Sequence, residues 1–330
     1  MRKSYMITNL QFENFRGFSD LKLSGFKRVN LIVGRNNAGK TSLLEGIAIV
    51  TDPQRIGEMP FLLRASTGNF GQRYFRWLVR DKEGVSEAKL EASGPNTNCK
   101  ALLKRQKDNE HILGPDGWPQ TFGQAFAGGG TGGGIVVFAP PNKTKIWCRV
   151  MSVQQRSPDI LVKLFAQAVK KKGGEERIEK LMRSVDDRIL KIRVEPAEDG
   201  NHIVVDLGLT EMLPLSQVGQ GVYRLLAMFA ELIGEQPELC IIDEIENGIH
   251  HSLLEQVWTG LASVAEETSI QIFVTTHSQE CIHSAHEAFS KRKDYDFSII
   301  QLFRNDGGVQ GRVLDRKHIE AALAGDIDLR

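Results

Sequence analysis

Cysteine is scarce in this sequence. The four present, Cys99, Cys148, Cys240 and Cys281, are scattered and form no CxxC pair, which argues against a disulfide framework or a zinc cluster and fits a reducing cytosol. No stretch approaches the roughly 18 consecutive apolar residues that span a bilayer, so no membrane is expected as a partner. The opening Met1-Arg2-Lys3-Ser4-Tyr5 lacks the apolar core of a signal peptide. An excess of one charge is missing too: 42 Lys and Arg face 41 Asp and Glu, a formal net charge of +1. That argues against a bulk basic nucleic-acid coat while leaving a local basic surface open. There is no internal repeat and no long heptad stretch, which excludes a coiled-coil arm. With 41% hydrophobic and 25% charged residues over 330 positions, the chain has the material for a packed core of one large domain or two lobes.

Periodicity places the elements. Strands are expected at Met6 to Phe12, Leu21 to Leu23 and Val29 to Val33, the last buried and apolar apart from Asn30. A helix begins near Lys40 with Leu43, Leu44, Ile47 and Ile49. Residues 74–106 read as a β-meander, with strands at Tyr74 to Val79 and Ala88 to Ala92 around Lys82-Glu83-Gly84. The glycine run from Gly128 to Gly134 reads as a mobile loop, because a strand, Ile135 to Phe138, follows it where a phosphate loop would need a helix. Ser157 can cap a helix that starts at Pro158, and a second helix carries Ile178, Leu181, Met182, Val185 and Ile189. Lys170-Lys171-Lys172 between them reads as a solvated turn, with a nucleic-acid contact as the alternative. From Lys191 onward come strands at Lys191 to Val194 and Ile203 to Leu207, then alternation: helix 222–233, strand 239–242, helix 253–265, strand 270–274, helix 280–289, strand 298–303 and a short final helix. Strands alternating with helices argue for a largely parallel sheet covered by helices.

Chemistry is concentrated in four places. Gly34-Arg35-Asn36-Asn37-Ala38-Gly39-Lys40-Thr41 matches G-x-x-x-x-G-K-[ST] in full, between an apolar strand and a helix. Glycines let backbone N–H groups converge on phosphate oxygens, and the helix N-terminus favours the anion. Lys40 can reach the β- and γ-phosphates, and Thr41 can offer its hydroxyl to Mg²⁺. Leu239-Cys240-Ile241-Ile242-Asp243-Glu244 is an apolar strand ending in two acids. Asp243 suits a magnesium ligand, and Glu244 can polarise the attacking water. Phe273-Val274-Thr275-Thr276-His277-Ser278 ends the next strand, and His277 can sense the γ-phosphate or be an ordinary structural histidine. Ser216-Gln217-Val218-Gly219-Gln220-Gly221 precedes a helix. Its exposed N–H groups can serve the phosphate of a partner subunit, or the segment is a plain glycine-rich turn. The reading requires Lys40 and Asp243 to meet at adjacent sheet ends.

These four motifs in this order resemble the ABC-type ATPases. Ile7-Thr8-Asn9-Leu10, Asn14-Phe15-Arg16-Gly17-Phe18 and Val29-Asn30-Leu31-Ile32-Val33-Gly34 resemble the opening of RecF, SMC and OLD-type proteins. Asp243-Glu244-Ile245-Glu246-Asn247-Gly248-Ile249-His250 and Thr275-Thr276-His277-Ser278 are similar to OLD-like AAA family ATPases, the branch often found in anti-phage loci. The resemblance covers about 1–50 and 203–330. It implies an α/β P-loop NTPase fold of ABC type: a mixed, mostly parallel sheet with flanking helices, an N-terminal antiparallel β-meander and a short helical-hairpin insertion. It divides the chain into an N-terminal ATPase lobe (1–150), a helical insertion (151–200) and a C-terminal ATPase lobe (201–330).

The same resemblance implies ATP held by Gly34, Arg35, Asn36, Asn37, Ala38, Gly39, Lys40, Thr41 and Ser42, with Arg16 approaching the nucleotide. It implies Mg²⁺ at Thr41 and Asp243, water activation by Glu244, and γ-phosphate contact by His277. Two subunits would sandwich ATP, so a homo-oligomer of at least two copies is expected. Ser216, Gly219, Gln220 and Gly221 would face the partner's nucleotide, although Gly219-Gln220-Gly221 stands where the usual signature has a serine before paired glycines. A glutamine-bearing switch loop is expected in residues 60–90, with Gln72 as candidate. No TOPRIM nuclease domain is expected in the sequence, which points to a separately encoded effector such as a nuclease or toxin in anti-phage defence. The competing readings are a RecF-like ATPase that binds DNA directly and the nucleotide-binding subunit of a transporter. The transporter reading lacks the usual Leu-Asp after the two acids, where Gly248-Ile249-His250 stands. A GTPase would want Asn-Lys-x-Asp, which Asn142-Lys143-Thr144-Lys145 is not.

Overall fold

The computed structural model describes residues 5–59, 63, 77–80, 82–105, 135–139, 146–151, 157–198, 200–305 and 308–330. Gln72, the glycine run Gly128 to Gly134 and the first half of the expected strand Tyr74 to Val79 lie outside them. Two main sheets pack on each other. The first is antiparallel, in the order β2 (Phe18–Ser24), β1 (Asn9–Phe15), β4 (Glu87–Gly94), β5 (Thr97–Arg105), β6 (Ile135–Phe138). The second has six strands in the order β14 (Gly308–Leu314), β13 (Phe297–Asn305), β3 (Val29–Val33), β12 (Gln271–Thr275), β11 (Leu239–Ile242), β7 (Cys148–Met151). It is parallel throughout except for the edge hairpin β13–β14.

Alternation along the parallel strands sorts their side chains into two cores. Ile32, Ile241, Phe273 and Ile300 face α1 (Lys40–Thr51) and the antiparallel sheet. Leu31, Val33, Ile242, Val274 and Ile299 face the helices of the other side. Those helices are α2 (Pro158–Val169) and α3 (Gly174–Val185), a hairpin laid on α5 (Gln220–Glu235), then α6 (Leu254–Thr268) and α7 (Gln279–Ser290), with α8 (Arg316–Ala324) closing the chain. A three-stranded antiparallel sheet, β10 (Leu213–Pro214), β9 (Gly200–Asp206), β8 (Lys191–Ala197), leads into the short helix α4 (Leu215–Val218). Among the described residues no helix is long and apolar enough to cross a membrane. All four cysteines are buried, and none is in a disulfide.

Several boundaries differ from expectation for local reasons. The first strand runs Asn9–Phe15, not Met6 to Phe12, because pairing with β2 and β4 starts at Asn9 and continues until the chain reverses at Arg16, whose φ is 53°. Ser157 does sit at the cap of α2, but its side chain makes no capping hydrogen bond. Helix α3 stops at Val185, and Ile189 is buried beyond the helix rather than on it. Of the expected strand Tyr74 to Val79, only a single antiparallel bridge, Phe15 to Val79, is described.

Two buried polar side chains stitch the sheets. Asn30, the one polar residue of β3, accepts from the Lys27 N–H (2.8 Å) and the Ser298 hydroxyl (2.8 Å), and donates to the carbonyls of Lys27 and Ile272. Gln271 accepts from the Ile7 N–H (2.8 Å) and donates to the carbonyls of Ile7 (2.7 Å) and Lys27 (2.9 Å), tying the segment before β1 to β12. Gln271→Leu strands the buried N–H and carbonyl of Ile7, while the Lys27 carbonyl keeps its bond from Asn30, and is expected to cost about 2–4 kcal/mol. Urea unfolding followed by circular dichroism reads that loss; an unchanged midpoint refutes it.

Candidate functional site

The loop after β3 is shaped by backbone conformations only glycine takes cheaply. Gly34 has φ 148°, and a Cβ there would lie 2.5 Å from the Leu302 carbonyl oxygen on β13. Gly39 has φ 96° and is the N-cap of α1, packed against the Phe18 ring. The turn from Arg35 to Asn37 is exposed, Ala38 and Lys40 are buried, and Thr41 and Ser42 lie half-buried at the helix start. The Lys40 ammonium rests on the carbonyls of Gly34 (2.6 Å) and Arg35 (3.2 Å) and lies 3.3 Å from His277 Nδ1. Burial lowers the Lys40 pKa, against the opposing pull of Asp243, Glu244 and Glu246.

Asp243 and Glu244 follow β11, and His277 follows β12. Strand β12 lies between β3 and β11, so the ends that carry Lys40 and Asp243 are next-nearest neighbours rather than adjacent. The loops still converge. His277 Nε2 is 3.6 Å from Glu244 Oε1, completing a line of contact from Lys40 through His277 to Glu244. Glu244 has φ 48°, a left-handed conformation that costs a non-glycine residue about 1–3 kcal/mol. It is held by neighbours on all sides. The Thr275 hydroxyl accepts from the Glu244 N–H (2.8 Å) and donates to Asp243 Oδ1 (2.6 Å). Arg224 of α5 donates to the carbonyls of Glu244 (2.9 Å) and Asn247. The Asn247 amide donates to the Glu244 carboxylate (2.5 Å), and Glu246 accepts from the His277 N–H (2.6 Å).

The remaining candidates sit apart. Arg16 is turned onto Glu45 of α1, with Nε to Oε2 at 3.0 Å and Nη2 to Oε1 at 3.2 Å. Ser216, on α4, and Gly219 and Gln220, at the start of α5, are exposed, and Gly221 is half-buried. No hydrogen bond or ion pair among the described residues joins these four to Lys40, Glu244 or His277. Helix α5 links them to the site: Gly221 packs where a Cβ would meet the Gly248 carbonyl at 3.1 Å, and Arg224 clasps the loop beyond. Sequence reasoning passed over Thr275, Arg224, Glu246 and Asn247. Three of them stand inside quoted motifs, but nothing in their spacing reveals whom they bond.

A glycine loop cradling a buried lysine at a helix start, facing an acid pair and a histidine at parallel strand ends, defines a P-loop ATPase of the ABC type in the RecF/SMC group. The family comparison agrees, and the chain belongs to the AAA ATPase domain family, whose model matches residues 6–172. A second model, described as "AAA domain, putative AbiEii toxin, Type IV TA system", matches residues 158–282. An "ATP/GTP phosphatase" of Helicobacter pylori is 22% identical over 88% of this chain and 90% of its own. Over 44 residues, 13% of this chain, the likeness rises to 48% with the Rad50 DNA double-strand break repair ATPase of Archaeoglobus fulgidus and 43% with the RecF DNA replication and repair protein of Bacillus cytotoxicus. Those stretches span 5% and 12% of the two proteins. In fold the chain resembles an SMC head solved with the C-terminal winged-helix domain of ScpA, with TM-score 0.58, 12% identity, and coverage of 97% of this chain and 100% of that one. The protein is an ATPase.

Proposed function

We propose that this ATPase is a nucleotide-driven switch that pairs with a second copy of itself around ATP and acts on a separately encoded effector. One observation carries the site: three strand ends deliver Lys40, His277 and Glu244 to a line of contacts at 3.3 and 3.6 Å. In this reading Gly34 to Ser42 bind the phosphates through backbone N–H groups and the N-terminus of α1. Lys40 leaves its carbonyl rests for the β- and γ-phosphate oxygens. Glu244 takes the proton of the attacking water as the new oxygen–phosphorus bond forms and ADP departs. His277 bonds the γ-phosphate and reports its presence to Glu244. Arg16 must leave Glu45 before it can approach a nucleotide.

The donor set also fits Mg²⁺. Among the described residues no cluster of three or more His, Cys, Asp or Glu could hold a metal ion, whereas Thr41 and Asp243 supply two hard oxygens beside the phosphate loop. Mg²⁺ is commonly held this way, by one or two protein oxygens together with substrate phosphates. When bound it neutralises charge on the phosphates.

Ser216, Gly219, Gln220 and Gly221 then serve the nucleotide of the second copy, which the exposure of Ser216, Gly219 and Gln220 supports. Hydrolysis reopens the pair. We further propose that 151–200 is a helical insertion between two ATPase lobes, 1–150 and 201–330, which share the six-stranded sheet. The likeness to a toxin-system AAA domain and the OLD-like wording of residues 243–250 favour a nuclease or toxin effector in cytosolic anti-phage defence. The RecF and Rad50 stretches favour the second reading, direct DNA binding in repair, and ATP-dependent duplex binding with a steep salt dependence would select it.

Sedimentation velocity tests the switch. A dimer is expected with Mg–ATP and a monomer with ADP. Gln220→Glu keeps size and exposure but sets a negative charge against the partner's phosphate, so it is expected to weaken dimerisation by about tenfold while each copy still binds nucleotide. A protein that hydrolyses ATP yet stays monomeric in every nucleotide state refutes the pairing.

A further inference from the structure

We infer that Thr275 is a positioning residue for hydrolysis: its single hydroxyl locks Asp243 and Glu244 into the relative orientation the reaction needs. The inference rests on the roles proposed above for those two acids. Consecutive residues of an extended strand point to opposite faces. For Asp243 and Glu244 to serve one phosphate group, the chain has to leave the strand conformation between them, and Glu244 does so with φ 48°.

Thr275 grips this turn from the neighbouring strand with three hydrogen bonds. Its hydroxyl donates to Asp243 Oδ1 at 2.6 Å and accepts the Glu244 N–H at 2.8 Å, and its carbonyl accepts the Ile245 N–H at 3.2 Å. The hydroxyl has one proton, and the carboxylate takes it, so an oxygen lone pair is directed at the amide. That fixes the direction of both bonds. It orients the Asp243 carboxylate and at the same time sets where the Glu244 backbone departs. Thr275 is fully buried, so water does not compete for either bond. Valine has the same shape and supplies neither. Serine supplies both.

The inference predicts that Thr275→Val loses about 10–100-fold in kcat, the usual range for a group that orients a metal ligand. Binding of a fluorescent ATP analogue in EDTA should change less than about twofold, because the phosphate loop is untouched. Mn²⁺ affinity of the complex with a non-hydrolysable ATP analogue, read by electron paramagnetic resonance, should fall about tenfold or more. Thr275→Ser should restore both properties. Thr275→Val with normal kcat and normal Mn²⁺ affinity overturns the proposal, and so does Thr275→Ser as impaired as Thr275→Val, which would assign the effect to the lost methyl. Circular dichroism and Thr275→Ala guard against misfolding: if both hydroxyl-free variants fail to fold, Thr275 is a determinant of the fold and the positioning role falls. Glu244→Gln separates this from the reading beneath it. Normal hydrolysis by Glu244→Gln takes down the site assignment. Impaired Glu244→Gln beside unimpaired Thr275→Val takes down only the role of Thr275.

Discussion

Glu244→Gln is expected to bind ATP as the parent does and to hydrolyse it about 10²–10⁴-fold more slowly, the usual contribution of a general base. The substitution is nearly silent in structure. Glutamine keeps an oxygen that can accept the Asn247 amide now bonded to the carboxylate at 2.5 Å, and the bonds that the residue 244 carbonyl accepts from Arg224 and its N–H donates to Thr275 do not involve the side chain. What glutamine lacks is a site for the proton of the attacking water. The loss therefore falls on kcat, with KM changed little. Because hydrolysis reopens the proposed pair, the dimer should accumulate in Mg–ATP. Single-turnover hydrolysis with labelled ATP, run beside sedimentation, separates the two effects. A rate within about twofold of the parent removes Glu244 from the reaction and leaves Glu246, which bonds the His277 N–H, as the next acid to test.

The contrast between Glu244 and its neighbours explains what the sequence revealed and what it withheld. The glycine loop was readable because its geometry is local: Gly34, Gly39 and Lys40 belong to one loop, and both glycines have the positive φ that a tight turn asks of glycine. Asp243 and Glu244 were readable because an apolar strand ended in two acids. Thr275 stands in a quoted motif, but its bonds cross 32 and 31 positions of sequence to reach Asp243 and Glu244. Arg224 reaches back from a helix to carbonyls that any residue possesses. No residue pattern announces such partners. Arg16 shows the converse: its place in a motif suggested a nucleotide, whereas the buried carboxylate of Glu45, 29 positions away, holds the guanidinium. At the level of strands, β7 and β14 escaped notice. Cys148–Met151 is four residues long, and Gly308–Leu314 carries two glycines and little alternation, so pairing with β11 and β13 rather than intrinsic preference makes them strands.

Lys40→Met is expected to move stability and function in opposite directions. Each charge-assisted bond to phosphate contributes about 1.5–3 kcal/mol, so losing contacts to two phosphates weakens ATP binding by roughly 10²-fold or more. The parent at about 100 times its Kd gains close to 2.7 kcal/mol of stability from ATP; Lys40→Met at the same concentration should gain almost none. Without nucleotide the comparison reverses. Burial depresses the Lys40 pKa despite three nearby carboxylates, so the folded protein holds this proton less tightly than the unfolded chain does. A lowered base pKa is a stability cost, fully present below the folded pKa and relieved as pH rises toward the unfolded value of 10.5. The ligand-free methionine variant should therefore match or exceed the parent's melting temperature at pH 7. Its advantage should shrink as alkaline pH releases the proton from the parent. Thermal unfolding across pH, with and without ATP, reads both effects. A variant that melts well below the parent without nucleotide would show that the carbonyl bonds of Lys40 and its attraction to Asp243, Glu244 and Glu246 outweigh its desolvation.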